Sequence, residues 1–173
     1  MKFSRTLIAA LLSGVALATP VKRTAAQIEA DLATIGSALT SFDSGINSFT
    51  GSLIQGIELL GQISTLENDI TSATSEITST GVLDAADSAT IAADVTPLAA
   101  QVVSVLGDTA AKASTITATG FSSIVLSALD TLQTDANNLF AALEATIDAS
   151  VASTITAAQT SVDSAFTTTI ADF

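Results

Sequence analysis

The chain has 173 residues, 48% of them hydrophobic and 13% charged, which is too apolar for a disordered polymer and long enough for one compact domain. Seventeen acidic residues against five basic ones give a net charge of −12, so nucleic acid and anionic membranes are excluded as partners by repulsion. Histidine, cysteine, tryptophan and tyrosine are absent, which removes disulfides, soft metal ligands and the usual nucleophile and base pairs of hydrolases.

Lys2 and Arg5 precede an apolar run, Leu7 to Leu12 and then Val15 to Ala18, closing on the small-x-small triplet Ala16, Leu17, Ala18. That run is too short to span a bilayer, and residues 1–18 are predicted to be a signal peptide. Residues 19–23 read as a short pro-segment ending in the dibasic pair Lys22 and Arg23, with a helical domain over residues 24–173. Processing would leave Lys112 alone against 17 acidic residues, a net charge of −16. The expected product is extracellular.

From Ile28 to Phe49 the large apolar residues Ile28, Leu32, Ile35, Leu39, Phe42, Ile46 and Phe49 recur every three or four positions, the spacing of one oily helix face. Such a stripe needs partners, and four more follow. Gly51 fits the end of the first helix and Ser52 the cap of a second, which carries Leu53, Ile57, Leu60, Ile63, Leu66, Ile70 and Ile77 up to about Thr80. Asp84 can cap a third with Ile91, Val95, Leu98, Val102 and Val105; Pro97 should kink it, and a bent or broken rod reaches Thr119. After Gly120 a fourth helix starts near Phe121, with Ile124, Val125, Leu129, Leu132, Leu139, Phe140, Leu143 and Ile147 inward. Asp148 can cap a fifth, with Val151, Ile155, Val162, Phe166 and Ile170.

No useful period-two stretch appears and the connectors are short, so the predicted fold is all-α, a single up-and-down bundle of about five amphipathic helices. Serine and threonine make up 43 of the 150 residues after Arg23, suited either to O-linked sugar or to a polar surface with few charges. None of Asn47, Asn68, Asn137 and Asn138 begins an N-glycosylation sequon.

Carboxylates are the only titrating groups in quantity. The closest pairings, Glu67 with Asp69 and Asp84 with Asp87, read as solvated faces and caps rather than as acid and base. No segment offers the oxygen ladder of a calcium loop, and Gly51, Gly56 and Gly61 follow no phosphate-loop spacing, so neither cofactor nor metal nor enzymatic activity is expected. What remains is apolar surface. Alanines such as Ala38, Ala73, Ala99, Ala128, Ala142 and Ala158 beside the large residues allow two outcomes: a dry, full core, or helices held apart around an elongated cavity. An opened bundle laid against an uncharged oily surface is a further use of the same stripes.

The N-terminal signal, the dibasic site, the seam of the first helix, the lack of cysteine and the run Gly120, Phe121, Ser122, Ser123, Ile124, Val125, Leu126, Ser127, Ala128, Leu129 resemble the fungal hydrophobic surface binding protein A family, which includes the cell wall galactomannoproteins. The resemblance covers essentially residues 24–173. It implies a secreted fungal protein that adsorbs to hydrophobic surfaces and recruits a polyester-degrading hydrolase there; in some mannoprotein relatives it implies a bundle holding a fatty acid.

Helical phase alone then places a lipid tail among Leu32, Ile35, Leu39, Phe42, Leu60, Ile63, Val102, Leu106, Phe121, Leu129, Leu132 and Phe140, with Gln62, Gln101 or Lys112 as the polar handle for its carboxylate. A competing reading makes the protein a structural or antigenic cell wall mannoprotein with no ligand. A third makes it an acidic adaptor for a basic secreted enzyme.

Overall fold

The computed structural model describes residues 25–173; the signal peptide and pro-segment assigned to residues 1–23 lie outside them. Six helices follow in order: α1 (Ala25–Ser48), α2 (Leu53–Thr80), α3 (Ala85–Ala111), α4 (Ala113–Ala118), α5 (Ser122–Thr146) and α6 (Ala152–Ala171). Among the described residues there is no strand. The expected third rod is divided. Near Lys112 its hydrogen bonding tightens, with the Lys112 N–H donating to the Thr109 carbonyl at 3.1 Å, and the short α4 sets off from there. Pro97 lies inside α3 on its exposed side, as does Ala93, whose carbonyl it cannot serve.

Successive long helices alternate in direction, but chain order is not neighbour order. Each long helix touches two other long helices, in the circuit α1, α2, α5, α6, α3 and back to α1, and no pair across that circuit brings Cα atoms within 8 Å. The result is a closed ring of five. Three seams are parallel. Gly36 faces Gln101 and Asn47 faces Lys112 between α1 and α3; Gly56 faces Phe121 and Ile77 faces Thr146 between α2 and α5; the Thr169 hydroxyl donates to the Leu106 carbonyl at 3.1 Å between α6 and α3. The antiparallel seams are α1 with α2, where Gly45 meets Gln62, and α5 with α6, where the Thr156 hydroxyl donates to Glu144 at 2.8 Å.

The six seam residues within α1 are buried, as is Phe49 just past its end, so this helix contributes a continuous wall to the inside of the ring. In α2 the buried positions are Gly56, Leu59, Ile63, Leu66, Ile70, Ala73, Ile77 and Thr80, alternating steps of three and four. The expected inward residues Leu53 and Ile57 are therefore corrected: they are 65% and 61% exposed, and so is Ile54 at 69%. The cause is Gly56. Its missing side chain is replaced by the ring of Phe121, which a Cβ would meet at 2.9 Å, so the inward phase runs through the glycine rather than through its larger neighbours. Ile124, also expected inward, is 45% exposed for the matching reason that Phe121, just before α5, and Val125 in its first turn take the inner positions.

The caps divide similarly. Asp84 accepts from the N–H groups of Ala86 and Asp87 at 3.0 and 2.9 Å, as a helix N-terminus requires. Ser52 makes no side-chain cap bond. The turn is held instead by Gln55, which accepts from the Thr50 N–H and hydroxyl and donates to the Ser48 carbonyl, while Gly51 takes the φ of +93° that closes the turn. Asp148 does not cap α6, which begins four residues later; it accepts from the Ser150 N–H at 2.9 Å within the connecting turn. The abundant hydroxyls are accounted for locally: Thr34, Ser37, Thr40, Thr65, Thr78, Thr131 and Thr134, among others, donate to the carbonyl four residues back on their own helix.

Candidate functional site: an apolar lumen inside the ring

Two cavities lie on the axis of the ring. The larger, about 60 Å³ counted as room for the centre of a water molecule, is lined by Leu32, Ile35, Leu39 and Phe42 of α1, Leu66 and Ile70 of α2, and Val95, Leu98, Ala99, Val102, Val105 and Leu106 of α3. Leu129, Leu132, Ala136, Leu139, Phe140 and Leu143 of α5 with Val162 and Phe166 of α6 complete it. The smaller, about 30 Å³ by the same measure, lies toward α4 and is lined by Ile46, Phe49, Gly56, Leu59, Leu60, Ile63, Thr109, Ile116, Phe121, Val125 and Ala128. Phe42, Leu129 and Leu132 belong to both linings and form the septum between them.

All twelve side chains assigned to a lipid tail by helical phase border one chamber or the other. Leu66, Ile70, Leu139 and Leu143 were recognisable as inward-facing, yet nothing in their spacing distinguished a lumen from a filled core. Val162 and Phe166 enter the larger chamber because α6 closes the circuit between α5 and α3, an adjacency the chain order does not reveal.

The three polar handles lie elsewhere. Gln101 donates to the Gly36 carbonyl at 3.0 Å and the Thr40 hydroxyl at 2.9 Å, clamping α3 to α1. The Lys112 ammonium donates to the carbonyls of Asn47 and Phe49 at 3.0 and 3.1 Å, serving the C-terminal carbonyls of α1. Gln62 packs on Gly45, its buried Oε1 without a hydrogen-bond partner. None of the three borders either chamber. Thr109 does border the smaller one, but its hydroxyl donates to the Val105 carbonyl at 2.8 Å.

A lumen walled in this way has carbon to offer and no polar anchor. One water needs roughly 10–15 Å³ of such room and several polar partners, so the larger chamber has room for water but nothing to hold it. It is a dry site suited to an apolar guest, and a long guest must push side chains of the wall outward to enter fully.

Carboxylates sit on the seams outside. Burial raises Glu67 and Asp135 between α2 and α5 above the usual range, and the charge of Asp135 raises Glu67 further. Between α1 and α3, burial followed by the hydrogen bond and charge of Asp108 raises Asp43, with Asn47 donating to both carboxylates at 3.1 and 3.4 Å. Groups that bind protons more tightly when folded add stability that is complete below their unfolded pKa, about 4, and lost as pH climbs through the raised folded value. Glu67→Gln is therefore expected to raise the Tm at neutral pH by about 1–2 °C, after allowance for solvent screening, and to change little near pH 4, as thermal melts across that range will read.

The family model of hydrophobic surface binding protein A matches residues 25–145. No curated protein sequence matches the chain. Among solved structures, Afmp4p crystallised in complex with palmitic acid matches with a TM-score of 0.84 and 33% identity, over 86% of this chain and 98% of that one. Ligand binding domain 1 of the Penicillium marneffei MP1 protein, complexed with arachidonic acids, matches with a TM-score of 0.81 at 15% identity, over 86% of this chain and 97% of that one. Domain 2 of the same protein, complexed with multiple arachidonic acids, gives 0.82 at 16%, over 88% and 97%. With the family model spanning most of the helical ring and Afmp4p sharing a third of its residues over nearly its whole length, this chain belongs to the hydrophobic surface binding protein A family.

Proposed function

We propose that this protein is a secreted, non-enzymatic binder of long-chain fatty acid, holding the acyl chain along the axis of its helical ring, and that the same molecule adsorbs to hydrophobic surfaces. The observation that carries the first part is the pair of axial chambers lined almost wholly by carbon, separated only by side chains. The palmitic acid bound by Afmp4p supports it, given the shared fold and 33% identity. Ten buried methylenes at about 0.8 kcal/mol each supply about 8 kcal/mol before ordering costs, so useful affinity needs no charged anchor inside. The carboxylate then stays at an end of the ring, in water.

Titration of the delipidated protein with a fluorescent long-chain acid, followed by displacement with palmitic acid, tests this reading. Saturable one-to-one uptake that palmitic acid reverses supports it, and absence of uptake by folded protein refutes it. Recruitment of a basic secreted polyester hydrolase fits the acidic exterior, and such a partner should co-purify from culture fluid at low salt and be lost at high salt.

A further inference from the structure

The two ends of the ring differ. At one end lie Glu29, Asp31, Glu76, Asp84, Asp87, Glu144 and Asp148, and it is stitched by polar bonds: the Leu83 N–H donates to the Thr146 carbonyl and the Asp148 N–H to the Ser88 hydroxyl, both at 2.8 Å. At the other end, residues 44–57 and 113–129 contain no charged side chain, and the neighbouring Lys112 is the only cation among the described residues. Asp108 and Asp172 of this end belong to α3 and to the end of α6, away from the α2 and α5 side, where the exposed Glu58 of α2 marks the border of the uncharged stretch.

On that uncharged side the first turns of α2 expose Leu53, Ile54 and Ile57, and α5 exposes Ile124. Three large aliphatics within five residues are costly to leave in water, and nothing in the ring covers them. Directly beneath, Gly56 and the half-buried Phe121 touch, and both line the smaller chamber. The exposed patch and the lumen are therefore separated by one aromatic ring resting on a glycine.

We propose that this end is both the face that lies on an uncharged lipid layer and the doorway of the lumen, with Phe121 as the movable leaf between them. The occupant is a lipid surface without net charge, because the patch carries no cation to hold an anionic headgroup, and Glu58 at its border with the other 16 carboxylates opposes an anionic layer. Docking would seat Leu53, Ile54 and Ile57 in the layer and bring the mouth of the lumen to the acyl chains, so that fatty acid transfers without crossing water. This inference rests on the fatty acid reading above and adds to it a route and a surface.

The test compares Leu53→Asp with Ile54→Asp, made together, against Val82→Asp, an equally exposed apolar position (76%) at the acidic end. Aspartate in the first turn of α2 is favoured by the helix dipole, so the double variant should fold, which circular dichroism will verify. Three quantities are read: co-sedimentation with phosphatidylcholine vesicles free of fatty acid, the rate of transfer of cis-parinaric acid from such vesicles, and equilibrium affinity for dissolved cis-parinaric acid. The double variant should lose at least about tenfold in sedimentation and in transfer rate while its affinity for dissolved acid stays within about twofold; Val82→Asp should match wild type throughout. Undiminished sedimentation and transfer in the double variant, or an equal loss in Val82→Asp, overturns the proposal. A wild type that sediments but takes up no dissolved acid would refute the fatty acid reading and the doorway, leaving only the docking face.

Discussion

Phe42→Ala is expected to lower the Tm of the lipid-free protein by on the order of 10 °C and, in the same variant, to enlarge the stabilisation given by a long fatty acid. Phe42 is 5% exposed and belongs to the septum, so its removal deletes a buried ring worth about 3–5 kcal/mol and leaves a hole that the helices of a ring cannot readily close. At about 2–4 °C per kcal/mol for a domain of this size, the loss is large and easily measured. The hole, however, joins the two chambers. A ligand at a hundred times its Kd adds about 2.7 kcal/mol, and one that also fills the vacated space regains part of what truncation removed. Thermal melts with and without palmitic acid should show a wider gap in the variant than in wild type. An equal or narrower gap would mean that the acyl chain does not pass the septum.

Ala136→Phe makes the opposite change. Ala136 lies on α5 at the wall of the larger chamber, and a phenyl group there occupies the space an acyl chain requires. Affinity for fatty acid should fall at least about 100-fold, whereas the lipid-free fold should tolerate the ring within about 1–3 kcal/mol, because it enters a cavity rather than a filled core. Displacement titration reads the first quantity and a thermal melt the second. Together the two variants separate lumen from surface: Ala136→Phe should not alter adsorption to vesicles, since it changes nothing outside.

How much of this was legible in the sequence follows from what periodicity records. The α1 seam from Ile28 to Phe49 is buried residue by residue as its spacing indicated, because a strict alternation of three and four defines one face without ambiguity. In α2 the same alternation, extended backward from Ile63 and Ile77, reaches Leu59 and Gly56; the greater hydrophobicity of Leu53 and Ile57 drew the phase the wrong way. A glycine on an apolar face signals a close neighbour, and that signal was available. Periodicity did not contain the order of the helices around the ring. That order depends on which stripes meet, on Gly36 and Gly45 admitting Gln101 and Gln62, and on Ala99 and Ala158 sharing the seam of α3 with α6. Whether the core was full or hollow turned on that same circuit, since five helices in a closed ring keep opposite members apart, whereas the same stripes in a compact arrangement would meet.

The polar residues pose a different problem. A fatty acid needs a partner for its carboxylate, which points to Gln101 and Lys112, but helix carbonyls and a neighbouring hydroxyl make prior claims on them. A lone lysine just beyond a break between helices is as well placed to serve backbone as ligand, and here it serves backbone.

Native mass spectrometry of the protein produced in its own host is the most direct measurement. The fold and the lumen predict a folded species carrying one long-chain fatty acid, and, after delipidation, return of that mass increment on adding palmitic acid. A folded protein that shows only its bare mass and takes up no added acid would contradict them.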